Sequence, residues 1–492
     1  MINLFSNTKH IYWLVALIAM AIRTYFIIFF PEDGGDGKTY ALVAENILAG
    51  CGVSISEIND NQCIPHFGGN QGPGYPFFIA VVWALSDYSD LAVRLLQALL
   101  CVTSILYIIN SIYLYTASAK KAIIVGIVLA ISPLHVAWPR FFLAETLALT
   151  ATIWLFAELI KSFQLSKLRV LPIGIALILA TFIRLDAILL LVPVAVTGFI
   201  IHRPITALKK GLVIALILLI PWTGWLTRNF AVGLETVFSP LAVELNNQSK
   251  GLYRWESTWS TNVYNSSAIH FPVSGRNYDK IVIDEVAFVS NDEKRKVKIL
   301  LSELKQYVGK PFPKHIDQQF AFLATKRIQD DPLSYLLFKP IARAFSLWGN
   351  INAGMGWPGF AEKLSPKQRI DLSSGGIWAK VHLLKNYPAI VVGKIIVNAW
   401  KIILYFLFII AIGLCFMSNK NPYRNLILLA LSFVLARSAL SGWMNQIEAR
   451  FSVMQMPIIE ITTALVLTHT MIEWRNNKLS FKPLLKYLMK LK

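Results

Sequence analysis

The sequence predicts an all-α protein that crosses a membrane many times, and three observations carry that prediction. Hydrophobic residues make up 55% of the 492-residue chain and charged residues 15%, against about 45–50% and about 25% in a soluble domain. The apolar residues are gathered into long runs such as Ile123 to Ile131 and Gly211 to Trp222, which approach the roughly 20 residues that span a bilayer core as a helix. Basic residues collect between the runs and in the tail, at Lys120-Lys121, Lys161 to Arg169, Arg203 to Lys210 and Lys482 to Lys492. Cytoplasmic loops carry such an excess, and anionic lipid can hold the basic tail. The net charge of +19 is therefore read as a membrane signature, and nucleic acid is not expected as a partner.

The first apolar segment, Ile11 to Phe30, follows Lys9-His10, carries Arg23 and has no small-residue cleavage site. It reads as a retained anchor rather than a removed signal. With a cytoplasmic start, it delivers Asp36 to the outer face. The next full-length run, Leu91 to Tyr115, returns to Lys120-Lys121. Ala122 to Trp138 then runs outward to Arg140 and Glu145, and Thr146 to Leu159 inward. Val170 to Ile183 runs outward to Arg184 and Asp186, Ala187 to Ile201 inward, and Leu212 to Trp225 outward to Arg228. Residues 231–388 are expected to form an outer soluble region, related to an acceptor. Residues 389–492 supply the last spans, with Glu448 and Arg450 at an outer turn, and a basic cytoplasmic tail. This gives about ten spans, with residues 1–230 as a transmembrane core that includes the outer loop 31–73. The run Tyr75 to Leu85 is too short to span. If it crossed, every later loop would invert, so segment 74–86 is read as interfacial or re-entrant.

This topology places Asp36, Lys38, Glu145, Arg184, Asp186, Arg228, Glu448 and Arg450 at the outer ends of spans. A carboxylate at the mouth of a span is costly to desolvate and marks a functional site by default. Glu32, Asp33 and Asp36 fall within five residues. A carboxylate can take a proton from an acceptor or hold a divalent cation, while arginine forks match a phosphate. Such a mixed site suits a phosphate leaving group on a membrane lipid. Each residue also has a plainer reading, with Arg184–Asp186 and Glu448–Arg450 as ordinary ion pairs.

Cys51 and Cys63 share the outer loop, where an oxidising compartment would favour a disulfide between them. Cys101 and Cys415 read as apolar residues within spans. His66 lies in the same loop. Asp36, Glu145 and His66 are the candidate ligands if a divalent cation is held, but no metal motif is present and no cofactor is certain. No phosphate-binding glycine loop occurs.

The order of motifs resembles the GT-C class of polytopic glycosyltransferases, specifically the bacterial relatives of protein O-mannosyltransferases and of lipid A aminoarabinose transferase. The resemblance lies in Asp36-Gly37-Lys38-Thr39-Tyr40 with Ala44 to Gly50, in Gln71-Gly72-Pro73-Gly74-Tyr75-Pro76, in Arg140 to Glu145, and in Arg184-Leu185-Asp186. It continues in Pro221-Trp222 with Arg228-Asn229, in Asp331 to Trp348, and in Glu448-Ala449-Arg450-Phe451 with Pro457. It implies a GT-C fold and transfer of a sugar from a polyprenyl-phosphate-linked donor to a lipid, glycan or protein acceptor. The reaction would occur on the outer face of a bacterial inner membrane, with inversion at the anomeric carbon. Asp36 would be the catalytic carboxylate, assisted by Glu145. Lys38, Tyr40, Tyr75, Arg184, Arg228, Glu448 and Arg450 would contact sugar or lipid phosphate. The sequence departs from the pattern at Gly37, where the family often has a second acid. An oligosaccharide polymerase or ligase and a transporter are the alternatives. The first would place essential arginines and a histidine in one large loop, and the second would show internal repeats and midplane charges.

Overall fold

A computed structural model describes residues 9–33, 35–55, 72–231, 244–349, 356–358, 385–417, 421–445 and 447–476. No strand is present among them, and the one pairing of extended backbone is an isolated parallel bridge between Glu32 and Phe141. The helices are α1 (Lys9–Phe29), α2 (Gly37–Leu48), α3 (Gly74–Ser86), α4 (Asp90–Thr116), α5 (Ala119–Ile131), α6 (Glu145–Gln164), α7 (Val170–Ile183), α8 (Leu191–Ile201) and α9 (Pro204–Ala231). They continue with α10 (Glu244–Glu256), α11 (Val263–Ser274), α12 (Asn291–Leu304), α13 (Lys314–Asp330), α14 (Lys339–Gly349), α15 (Pro388–Met417), α16 (Arg424–Trp443) and α17 (Met456–Arg475). Among the described residues, seven helical segments are long and apolar enough to cross a membrane: α1, α4, α6, α9, α15, α16 and the stretch Arg450–Arg475. The protein is an all-α polytopic membrane protein.

Three expected spans fall on shorter helices. Ala122 to Trp138 is helical only as far as Ile131, Val170 to Ile183 forms the 14-residue α7, and Ala187 to Ile201 begins as a 3-10 turn, Leu185–Leu190. The missing helical length is replaced by irregular chain that carries the functional candidates. Every residue from Ser132 to Leu149 is buried. Irregular backbone at membrane depth is tolerated only where protein surrounds it. The short helix α3 sits against α2, α4 and α7. Its glycine-rich start allows a close approach: a Cβ on Gly72 would stand 2.2 Å from the Phe182 carbonyl oxygen.

Local chemistry starts the helices in the usual way. Ser89 Oγ accepts from the Ala92 amide at the start of α4, and Ser118 Oγ from Lys121 at the start of α5, each satisfying an otherwise orphaned N–H. A second core, built on Leu252, Trp255, Trp259, Ile269, Phe312 and Phe320, unites α10 to α13 outside the main bundle. Arg343 of α14, 2% exposed, ties this unit to the bundle. Its Nε donates to Ser260 O at 2.9 Å, Nη1 donates to Gly442 O at 3.2 Å, and Nη2 donates to Ser257 O. The buried Glu256 carboxylate accepts from Asn445 Nδ2 at 2.8 Å, just after α16.

Candidate functional site

The loop after α1 is held by two arginines. Arg140 Nη2 pairs with Glu32 at 2.7 Å, and its Nη1 donates to Phe30 O at 2.8 Å. Arg94, on α4, pairs with Asp33 at 2.7 Å and donates from Nε to Arg140 O at 2.9 Å. The loop then turns into α2 at Gly37, where a Cβ would meet Phe142 O at 3.0 Å and Phe142 Cβ at 3.1 Å. This contact explains the departure at Gly37: a second acid there would press on the Phe142 backbone. Asp33 does not replace it beside Asp36, because Arg94 holds it.

Asp36 is the N-cap residue of α2, yet its side chain makes no capping bond. An aspartate at that position ordinarily accepts from the second or third amide of its helix. Instead Asp36 Oδ2 lies 2.6 Å from Arg450 Nη1, and Arg450 Nε lies 2.6 Å from Glu448 Oε2. The Asp36 side chain is 41% exposed and that of Glu448 40%. This outer chain of charges is open to ligand.

A second network lies deeper. Arg184 donates from Nη1 to Glu145 Oε1 at 2.8 Å. It holds Asp186 with both Nε and Nη2, at 3.2 and 2.9 Å. Arg437 of α16, 2% exposed, donates to Asp186 Oδ2 at 2.6 Å and to Phe451 O at 2.9 Å. Burial opposes charge on Asp186, but Arg184 and Arg437 overcome it and hold the carboxyl well below the usual carboxylate range. Burial likewise opposes the Arg184 charge, and Asp186 and Glu145 outweigh it. Arg184 and Asp186 thus hold each other charged at neutral pH.

Phe451 and Tyr40 join the two networks. The guanidinium groups of Arg184 and Arg450 each lie 5.5 Å from the Phe451 ring centroid, within cation–π range. Tyr40 is buried beside Tyr75, ring centroids 4.8 Å apart, and the Tyr75 hydroxyl donates to Gln97 at 3.1 Å. Burial, with Glu145 adding to it, raises the Tyr40 hydroxyl far above its ordinary value, and Arg184, Asp36 and Arg450 also act on it. Tyr40 is thus a neutral hydroxyl set among both acids and both arginines.

The structure brings together Asp36, Tyr40, Glu145, Arg184, Glu448 and Arg450, with Tyr75 behind Tyr40. It does not bring in Lys38, which is exposed and lines a separate cavity with Asp33 and Glu45. Arg228 donates to Val53 O at 2.6 Å and tethers the end of α9 to the chain after α2. Cys63 and His66 lie outside the described residues, and the expected Cys51–Cys63 bond with them. Among the described residues no three His, Cys, Asp or Glu side chains gather as a cation site. Asp36 and Glu145 each face an arginine instead. The described set does not fit a metal, and no step is drawn through one.

Two residues escaped the sequence reading, Arg94 and Arg437, while Phe451 stood there only inside a motif with no role of its own. The two arginines had a signal, since each is a lone buried charge on an otherwise apolar helix. The role of Phe451 had none.

Residues 70–225 match the family model described as dolichyl-phosphate-mannose-protein mannosyltransferase. The match covers less than half of the 492-residue chain and says what that segment is similar to. No curated protein matches the chain. Glu145, Arg184 and Arg228 fall inside the matched segment, and Asp36, Glu448 and Arg450 outside it. The fold is what joins the two groups.

Proposed function

We propose that this membrane protein is a glycosyltransferase that moves a sugar from a polyprenyl-phosphate-linked donor to an acceptor, on the outer face of a bacterial inner membrane. The observation that carries the reading is the turn of Asp36 away from its helix and toward Arg450, on a partly exposed surface beside the Arg184 network. The acceptor hydroxyl attacks the anomeric carbon as Asp36 takes its proton. The bond from that carbon to the phosphate oxygen breaks, and the polyprenyl phosphate leaves. One direct displacement inverts the anomeric carbon. Arg450, 31% exposed, is the arginine placed to donate to a phosphate oxygen. Arg184 orients Glu145.

An apolar cavity of about 880 Å³ supports a lipid-linked donor. It lies between α3, α4, α6 and α7, lined by Phe77, Leu100, Trp154, Ile175 and Phe182, and it reaches Ile183, next to Arg184. Its other end is bounded by the Glu158–Arg169 ion pair. That depth suits a prenyl chain whose phosphate emerges at the arginines. We assign the outer unit of α10 to α13 to the acceptor, because Glu256 holds Asn445, which lies shortly before Glu448. A Cys51–Cys63 bond would restrain the first loop.

Asp36→Asn tests the reading in membranes supplied with lipid-linked sugar. Product should be lost while the protein inserts and melts as the parent does. Product at the parental rate would remove Asp36 from the chemistry.

A further inference from the structure

Beside the Asp36 network, on the other face of α2, lies a second cavity of about 270 Å³. Gly37, Lys38, Ala41 and Glu45 line it from one stripe of the helix, at the spacing that puts residues on one helical face. Tyr40, Val43 and Ala44 are buried elsewhere on the same helix. The helix is therefore a partition, with Asp36 at its end between the two sides. Trp83 and Phe142, 5% and 2% exposed, form the floor of the cavity, and Tyr88 stands at its rim, 57% exposed. Trp83 Nε1 donates to Asp90 Oδ1 at 3.2 Å, which fixes that carboxylate at the edge.

The chemistry of this lining is selective. Aromatic faces offer an apolar platform with specific geometry, and ionised carboxylates accept hydrogen bonds without donating any. A ligand here must present an apolar face and several donors. Arg94 neutralises Asp33, which leaves Glu45 and Asp90 against Lys38, so the rim carries a net negative charge and repels anions. The volume falls just below the roughly 300–1,000 Å³ of sites for drug-sized ligands, enough for one ring and not for a chain of them.

We infer that this cavity seats a single monosaccharide ring that carries no anionic group, delivered to Asp36 around the N-terminus of α2. The inference rests on the proposed sugar transfer and names the class of ring it uses. Such a ring could belong to the donor or to the acceptor, and the chemistry is the same for both.

The test is saturation-transfer NMR on the purified full-length protein with methyl α-mannoside and methyl glucuronide as probes. The parent should bind the neutral glycoside and not the uronide. Glu45→Lys and Tyr88→Asn, the latter suited to the left-handed backbone at that position (φ 59°), should each weaken the neutral probe at least fivefold with unchanged melting. Glu45→Lys should also admit the uronide. Displacement of the bound probe by a short-chain prenyl-phosphate-linked sugar assigns the pocket to the donor ring, and retention assigns it to the acceptor. Equal binding of both probes, or neutral binding untouched in both variants, overturns the inference. Sugar transfer by the parent, assayed beside probe binding, separates the two proposals. A parent protein that binds the probe yet transfers no sugar keeps the pocket and rejects the enzyme, whereas a parent that transfers sugar without binding the probe does the reverse.

Discussion

The exposed chain Asp36–Arg450–Glu448 and the buried network Glu145–Arg184–Asp186–Arg437 use the same residue types for opposite ends. In the outer chain the acids are about two-fifths exposed, so solvent screens the ion pairs and a ligand can replace one partner for another. In the inner network the carboxylates are enclosed by arginines from separate elements, and removing one leaves a charge stranded at low dielectric. Exchangeable charge suits chemistry, and locked charge suits positioning. The ring of Phe451, between the arginines of the two sets, lets the locked set place the exchangeable one.

Substitutions should separate the two sets, beginning with the largest effect. Asp36→Asn should lower turnover about 10²–10⁴-fold, the range for loss of a general base, with melting unchanged. A large fall in melting temperature instead would move Asp36 into the structural set. Arg437→Met should destabilise the protein by about 3–5 kcal/mol, since Asp186 loses a partner in a buried network. Thermal unfolding in detergent measures this, and the double variant Arg437→Met with Asp186→Leu should recover part of the loss.

Gly37→Asp should impair folding around the first loop and leave turnover below the parent, because the new Cβ meets Phe142 at 3.0 Å. Enhanced activity would show that a second acid is accommodated after all. The pH dependence of the inner network is smaller at neutral pH. Asp186 has a depressed folded-state pKa, so its contribution is fully present above the unfolded carboxylate range and fades as pH falls through the lower folded value. The melting gap between the parent and Asp186→Asn should therefore be constant from about pH 8 to 5 and shrink only below about pH 4. Glu448→Gln should be the mildest, with stability changed by about 0–1 kcal/mol after solvent screening and a modest rise in KM for the donor.

Much of the site was legible because membrane burial makes charge conspicuous. Asp36, Glu145, Arg184 and Arg450 stood out as polar residues at the ends of apolar runs, and the structure joins them. The pairings were not legible. Arg450 meets Asp36 across most of the chain, and no local pattern encodes a contact of that separation. Lys38 stands apart from the Asp36 network for a related reason. It is two residues from Asp36, yet the turn of α2 directs it to the opposite side. The short spans show the same limit, since hydropathy reads Ala122 to Trp138 as one run, while the chain leaves the helix at Ser132 and folds back within the protein.

The amino-acid sequence by itself determined an all-α membrane protein and the level at which its charges must lie. Both follow from transfer energetics that act residue by residue: apolar runs enter lipid, and charges stay at the ends of spans or pair. Only the tertiary structure decided which arginine holds which acid, why position 37 is glycine, and that α2 divides a charged cleft from an aromatic-floored cavity. Those outcomes depend on atoms from distant helices meeting within a few ångströms, and packing sets them only when the whole bundle closes.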